Sequence, residues 1–264
     1  MRINQWISHN TKYSRREADA LIKDGRVKIE NRLATLNDKV IKANVFIDRK
    51  LIKPLDKSKY TVIVYNKPKG ELVAKRDDRD RKVIYDNLDS KFSHFIPVGR
   101  LDYASEGLLL LSDSPFITTV LMESNLVRVY NIKIDSKITD QIIDAMRDGL
   151  ILDNARAGGH RLSNIKSMEF LPFEFCEIIR ESKNYTKIKV GIREGKNREL
   201  RRFFAYFKVN VLDLKRVSYG FIDLNALPTG KNRYLTRKEY NKLHNFIHEN
   251  KKQNIFKDFN ASRK

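Results

Sequence analysis

The sequence contains a single cysteine, Cys176, and no group of cysteines and histidines spaced as metal ligands are. An internal disulfide framework is therefore excluded, and a structural zinc site is not expected. No run approaches the roughly 18 apolar residues that a membrane-spanning helix needs, and the opening "MRINQWISHN" lacks the apolar core of a signal peptide. These absences predict a cytoplasmic protein without a membrane partner.

Acidic residues are scarce relative to basic ones, since 33 Asp and Glu stand against 53 Lys and Arg and leave a net charge of +20. Such a surplus favours a polyanionic partner, because phosphates neutralised by Lys and Arg release their counterions. The two ends are the most basic parts: residues 1–59 carry 15 basic and 7 acidic side chains, and residues 231–264 carry 10 and 3. We therefore expect both ends to bind nucleic acid. The alternative is that their positive charge serves only to keep the protein soluble.

The length of 264 residues and a hydrophobic content of 41% suit two or three modest domains. We place a first domain at 1–56, a second at 60–235 and a basic C-terminal helix and tail at 236–264. The polar, proline-containing "KPLDKSKY" at 53–60 is predicted to be the linker between the first two. In the second domain strands outnumber helices in hairpin-like and crossover arrangements, which predicts an α+β fold with a largely antiparallel sheet.

Local patterns place several helices. Ser14 and Glu17 form a capping box at the start of a helix that Gly25 closes, and short strands follow it. A second capping box, Thr236 with Glu239, opens the C-terminal helix. Near residue 200 an apolar helical stripe is flanked by arginines that lie off it: the stripe is Leu200, Phe203, Phe204 and Phe207, and the arginines are Arg198, Arg201 and Arg202.

The stretch "VGRLDYASEGLLLLSD", residues 98–113, places a carboxylate in a basic protein. Gly99 permits a turn that other residues resist, and Leu101 can anchor the loop in the core. Arg100 and Asp102 are then free to point the same way, as alternate residues of an extended segment do. Asp102 could be a nucleophile, a general base or a cap of the following turn, and the spacing alone favours the cap.

Four segments in one order, "YNKPKG", "VGRLDYASEGLLLLSD", "VRVY" and "REGKNRELRRFF", resemble the RsuA family of pseudouridine synthases. The N-terminal "SRR" followed by "LIKDGRVKI" resembles the αL (S-four) RNA-binding module, so the resemblance covers residues 2 to 240. It implies a small αL-type module followed by a mixed, largely antiparallel catalytic domain with a central cleft. It also implies isomerisation of a specific uridine in ribosomal RNA without a cofactor or a metal.

The resemblance assigns roles to individual residues. Asp102 matches the catalytic aspartate, which attacks the sugar or the base or assists an elimination, and Arg201 matches the basic residue that pairs with it. Tyr130 matches the tyrosine that stacks on the target base, and Leu200 matches an apolar residue of the pocket. Further RNA contacts are expected from Arg100 and Lys67 in the catalytic domain and from Arg15, Arg16 and Arg26 in the N-terminal module.

Three positions depart from the family pattern, which usually has threonine where Ser105 stands, glutamine where Glu199 stands, and a glycine before its "V..L.R...G" segment where this chain has Lys208. Glu199 lies beside Arg201 in the sequence, so its carboxylate could compete with Asp102 for that arginine. We nevertheless expect an active enzyme, acting as a monomer on ribosomal RNA, with 23S favoured over 16S because of the basic module and tail. A non-catalytic RNA-binding assembly factor is the alternative, and DNA binding by a helix–turn–helix is disfavoured because no recognition-helix pattern stands out.

Overall fold

A computed structural model of the chain divides into two compact units, Met1–Thr61 with Asp113–Ile117, and Val62–Ser112 with Thr118–Lys264. The structure describes residues 1–11, 13–54, 59–160 and 163–261. The predicted linker at 53–60 therefore lies partly outside the described residues. Within the described ranges, no helix combines the length and the apolar character that crossing a membrane requires.

The smaller unit consists of two helices followed by a four-stranded antiparallel sheet in the order β2-β1-β3-β4. Its elements are α1 (Ile3–Asn10), α2 (Arg15–Lys23), β1 (Val27–Ile29), β2 (Arg32–Leu33), β3 (Val45–Ile47) and β4 (Lys50–Leu51). The predicted capping box is present, since the Ser14 hydroxyl accepts the N–H of Glu17 at 3.2 Å and the Glu17 carboxylate accepts the N–H of Ser14 at 2.7 Å. Gly25 follows α2 at a φ of +69°, the left-handed conformation expected there.

The remaining strands and helices follow in chain order, with runs of three or four strands between some of the helices. They are β5 (Val62–Lys67), β6 (Ile96–Pro97), β7 (Glu106–Ser112), α3 (Pro115–Met122), β8 (Arg128–Ile134), α4 (Asp140–Asp148), β9 (Leu150–Leu152), β10 (Met168–Phe170), β11 (Phe175–Glu181), β12 (Thr186–Ile192), α5 (Glu199–Tyr206), β13 (Val211–Tyr219), β14 (Ile222–Asp223), β15 (Asn232–Tyr234) and α6 (Arg237–Ala261). The predicted capping box before α6 is also present, because Thr236 and Glu239 exchange backbone-to-side-chain hydrogen bonds.

The described residues of the larger unit form a nine-stranded sheet in the order β11-β12-β8-β13-β7-β5-β15, with β14 beside β13 and β6 beside β7. The β7–β13 pair is parallel, and the other strand pairs of this sheet are antiparallel. Strands β9 and β10 pair separately. The α+β class with a mixed, largely antiparallel sheet is thus confirmed.

Strands β5 and β7 form a buried part of the sheet. All six residues of β5 are buried, as are the six that follow Glu106 in β7, because both strands are covered on both faces. The parallel neighbour β13 approaches β7 closely at Gly107, which has a φ of +103°. A Cβ atom at Gly107 would lie 2.2 Å from the carbonyl oxygen of Arg216, so this approach requires glycine.

Helix α5 packs its apolar stripe against the sheet as its periodicity predicts. Phe203 is fully buried, and its ring lies 5.6 Å from that of Phe170 and 4.9 Å from that of Phe173. Arg202, which the pattern places off the stripe, is nevertheless completely buried. Its guanidinium donates to the carbonyl oxygens of Ala155 and Asn197, so backbone acceptors replace water around the charge.

Candidate active site

The loop that carries Asp102 connects β6 to β7, and its shape is held by the backbone. Gly99 adopts a φ of +71°, which reverses the chain after the buried Val98. The N–H of Ser105 donates to the carbonyl oxygen of Asp102 at 3.0 Å and closes a turn at the end of the loop. Leu101 is buried as predicted, so the loop is anchored in the core beside its two polar neighbours.

Lys67, at the end of β5, lies beneath this loop. Its ammonium donates to the carbonyl oxygens of Pro68 at 2.9 Å, Asp102 at 3.2 Å and Ser105 at 2.9 Å. The residue has no exposed surface, and burial lowers the pKa of its ammonium to about 8. The RNA contact predicted for Lys67 is therefore wrong: its three donors are used inside the protein, where they fix the backbone of the Asp102 loop.

The carboxylate of Asp102 faces two guanidinium groups. Its Oδ2 lies 3.4 Å from Nη1 of Arg198 and 3.7 Å from Nε of Arg201. The Asp102 side chain keeps 28% of its surface exposed, whereas that of Arg201 keeps 11%. The two cations hold the carboxylate in one place while leaving it accessible. The turn-cap role that the spacing favours is not what the side chain does, because the turn is closed by the Asp102 backbone.

Arg201 is fixed by more than its ion pair. Its two Nη atoms donate to the carbonyl oxygens of Val211 at 3.1 Å and Ala104 at 3.2 Å, and to the Ser105 hydroxyl at 3.3 Å. The smaller side chain of Ser105 therefore still supplies a hydroxyl to this network. Because helix α5 is anchored by its phenyl rings, Arg201 reaches Asp102 from a rigid element.

The Asp102 carboxylate opens into a pocket of about 180 Å³, a size that suits a single base better than a drug-sized ligand. Tyr130 on β8, Leu200 on α5 and the exposed Arg100 line the same pocket, so the structure brings these sequence-predicted residues together with Asp102 and Arg201. Tyr130 and Leu200 are themselves buried. A flat ring in this space could lie against an aromatic face with the carboxylate nearby.

Glu199, the first residue of α5, is also a pocket residue and is only 6% exposed. Its Oε2 accepts the N–H of Lys196 at 3.0 Å, and burial raises the pKa of its carboxyl to about 7. It forms no ion pair with Arg201, whose carboxylate partner is Asp102. The expected competition between Glu199 and Asp102 for Arg201 is therefore wrong.

Three pocket arginines were missed by the sequence analysis as site residues. Arg198 precedes α5 in the left-handed conformation, with a φ of +53°, and this turn aims its side chain at Asp102. Arg128 and Arg216 are buried on neighbouring strands β8 and β13. A signal for Arg128 existed, because it lies two residues before Tyr130 and alternation puts both on one face of the strand. Nothing local marks Arg216.

In the smaller unit the arginines predicted to bind RNA lie at its surface. Arg15 and Arg16 are exposed in the first turn of α2. Arg26 is exposed as well, and it forms an ion pair with Asp48 at 2.6 Å. Arg15 and Arg16 are thus the better placed of the three for phosphate groups, whereas Arg26 would have to share its charge with a carboxylate.

Comparisons with known proteins agree with this fold. The sequence model of a family described as RNA pseudouridylate synthase matches residues 61–206, and the chain belongs to that family. Residues 1–60 lie outside the matched range. The described fold is shared with a solved structure, the crystal structure of a pseudouridylate synthase, at a TM-score of 0.62 and 22% identity, covering 92% of this chain and 99% of that one.

Curated relatives extend the similarity over nearly the whole chain. An uncharacterised RNA pseudouridine synthase of Helicobacter pylori is 55% identical and covers 94% of this chain and 95% of its own. Ribosomal large subunit pseudouridine synthase B of Bacillus subtilis is 28% identical, covering 92% and 95%. The dual-specificity RNA pseudouridine synthase RluF of Salmonella typhi is 30% identical, covering 90% and 76%. These relatives confirm the resemblance to the RsuA family, and the protein is an isomerase that acts on RNA.

Proposed function

We propose that the protein converts a uridine of ribosomal RNA to pseudouridine, with Asp102 as the catalytic residue and 23S RNA as the favoured substrate. The observation that carries this proposal is the Asp102 carboxylate, held by Arg198 and Arg201 at a pocket that Tyr130 also lines. The preference for 23S RNA is supported by the similarity to the Bacillus subtilis enzyme named for the large subunit.

The reaction is an isomerisation in which the bond between N1 of uracil and C1′ of ribose breaks, the base turns, and C5 joins C1′. One proton leaves C5 and one is gained at N1, so nothing is added or lost. Asp102 serves each of the open routes, attack on C1′, attack on the base or assistance to elimination, as an ionised group already in place. The target nucleotide has to leave its stack to reach the pocket, where Tyr130 offers a face for stacking.

The substrate is identified by mapping pseudouridine in 16S and 23S RNA from cells with and without the gene. We expect one position, in 23S RNA, to lose its pseudouridine and to regain it with the wild-type gene but not with Asp102→Asn. An unchanged map would contradict the proposal, and a lost position in 16S RNA would contradict only the 23S preference.

Asp102→Asn tests the catalytic role on purified protein. The amide keeps the size of the side chain but loses the charge, so we expect turnover to vanish while RNA affinity changes little. Asp213→Asn is the matched control, because Asp213 is a half-exposed carboxylate of the same unit that pairs with Lys69 outside the pocket. Pseudouridine formation by D102N at the wild-type rate would refute the mechanism.

A further inference from the structure

Two arginines of the larger unit have a buried guanidinium nitrogen without a hydrogen-bond partner, Arg201 at Nε and Arg216 at Nη2, and of these only Arg201 has a carboxylate within ion-pair distance among the described residues. Arg216 is 3% exposed, and its Nε donates to the carbonyl oxygen of Leu108 at 2.7 Å. Its Nη2 is buried without a hydrogen-bond partner, and no ion pair with a carboxylate is found for Arg216 in the described residues. A buried cation in this state is costly, and such groups call for an acceptor from outside the protein.

Two other buried arginines show what a structural role looks like in this fold. All three guanidinium nitrogens of Arg202 donate hydrogen bonds. The acceptors are the carbonyl oxygens of Ala155 and Asn197, the side-chain amide oxygen of Asn197 and the hydroxyl of Ser163. Arg128 donates to the carbonyl oxygen of Arg193 and, at 2.9 Å, to the hydroxyl of Tyr219. Arg216 has no such set of partners, although it is as deeply buried.

The position of Arg216 points its charge toward the place where a base would lie. Arg216 lines the pocket together with Asp102 and is the register partner of Tyr130 across the β8–β13 pair. Side chains of directly opposed residues in an antiparallel pair lie on one face and in contact range. Arg216 and Tyr130 are therefore on the same face of the sheet, and the guanidinium carbon of Arg216 lies 5.4 Å from the ring centre of Tyr219, which also lines the pocket.

A phosphate is the less suitable acceptor for this group. Phosphates stay at the hydrated surface of RNA, where the exposed Arg100 at the pocket is available. A flipped base instead enters the interior and brings two carbonyl oxygens, O2 and O4, that need donors there. When the N1–C1′ bond breaks, its electron pair stays on the base, and the charge spreads onto those oxygens.

We propose that Arg216 donates hydrogen bonds to a carbonyl oxygen of the bound uracil and stabilises the negative charge that the base carries after it leaves C1′. The charge disappears when C5 joins C1′, C5 releases its proton and N1 takes one up. A fixed donor in a buried site acts strongly on charge that appears only during the reaction. This role rests on the proposed function of the pocket.

The test compares Arg216→Met and Arg216→Lys with wild type on the ribosomal RNA fragment found by mapping. We expect the single-turnover rate at saturating RNA to fall about 100-fold or more for R216M, which is typical for removal of one such donor. The lysine keeps the charge but not the paired N–H groups, so R216K should fall between the two. RNA affinity, measured by filter binding with D102N added to each variant, should stay within about twofold because no phosphate contact is lost.

A second substrate tests whether Arg216 acts on the negative charge of the departing base. In a fragment with 5-fluorouridine at the target position, the fluorine already stabilises the departing base, so the rate of sugar–base cleavage should depend less on Arg216. We expect the defect of both variants to shrink on this RNA. An equal defect on both RNAs would overturn the proposal, and weaker RNA binding with an unchanged rate would assign Arg216 to a phosphate instead.

Folding of the variants separates this role from a structural one. R216M loses one hydrogen bond, to Leu108, and the contact with the Tyr219 ring, and it also removes a buried charge that no carboxylate pairs with in the described residues, so it should melt close to the wild-type temperature. The control Arg202→Met loses four hydrogen bonds and should melt well below it. If R216M does not fold, the single-turnover rates of R216K on the two RNAs test the proposal instead. Failure of both variants to fold would also overturn it. Failure of the proposed function would appear differently, as wild-type protein that leaves ribosomal RNA unmodified.

Discussion

Replacing Glu199 with glutamine tests the electrostatics of the pocket independently of turnover. Glutamine has the size of a protonated glutamate and retains an oxygen for the N–H of Lys196, so the change removes the ionisable proton and little else. Burial raises the pKa of Glu199 from 4.5 to about 7, the charge of Glu194 adds to the shift, and the bond to Lys196 and the charge of Arg128 oppose it. The native state therefore keeps a proton that the unfolded chain has already released.

The sign and size of the effect follow from that difference in pKa. Between about pH 4.5 and pH 7 the native state binds more protons than the unfolded state, so wild-type stability falls as the pH rises through this window. A shift from 4.5 to about 7 corresponds to roughly 3 kcal/mol, since each pKa unit is worth about 1.4 kcal/mol. We expect E199Q to match wild type near pH 4.5 and to exceed it by roughly 3 kcal/mol in free energy of unfolding at pH 8.

Urea unfolding at pH 4.5, 6 and 8, followed by circular dichroism, measures this difference. The transition of the larger unit is the one to fit, because two compact units need not unfold together. Glu123→Gln, which removes an exposed carboxylate, is the control for the loss of one negative charge from a strongly basic protein. A gain for E199Q that is the same at every pH, or larger at pH 4.5 than at pH 8, would refute a buried ionisable carboxyl.

Two further predictions concern other parts of the chain. Replacing both Arg15 and Arg16 with alanine should weaken RNA binding and reduce the slope of log K against log salt concentration by about 1.4, since each phosphate contact on a single strand contributes about 0.7. Arg147→Ala is the control, and an unchanged slope for the double variant would remove the RNA-binding role of the smaller unit. Gly107→Ala should cost about 2 kcal/mol or more in free energy of unfolding, because its Cβ would lie 2.2 Å from a carbonyl oxygen of β13. Gly230→Ala, with a φ of +76° and open space around it, should lose less, and equal losses would contradict the close approach.

Much of the fold could be predicted because local patterns decide it. The capping box at Ser14 starts α2, and Gly25 follows the helix with a φ of +69°, both as the sequence indicates. The apolar stripe on α5 is likewise found where periodicity puts it. Such signals depend on residues that are close in sequence. They specify which face of an element is apolar but not which other element packs against that face.

The parts that could not be predicted depend on contacts between distant segments. Lys67 was expected to contact RNA and Arg202 to lie off the apolar stripe, yet both are buried among carbonyl oxygens that the sequence does not reveal. The parallel pairing of β7 with β13 joins residues about 110 positions apart, and it alone brings Arg216 to the Asp102 loop. Arg198 was missed because a left-handed residue before a helix redirects its side chain in a way that helical periodicity does not describe.

The cationic side chains of the pocket are either exposed or buried, and this difference indicates how a basic site can act on a single base. Six cationic side chains line the pocket against two acidic ones: Arg100, Arg128, Lys196, Arg198, Arg201 and Arg216 face Asp102 and Glu199. Attraction of RNA alone would not need Arg216 to be buried, because exposed cations bind phosphate without losing their hydration. A guanidinium kept in the interior with a free nitrogen is useful only if negative charge arises there, and in this reaction that charge arises on the uracil. In the proposed mechanism the exposed cations account for binding, and Arg216 acts on the base that leaves the ribose, whichever of the open routes Asp102 takes.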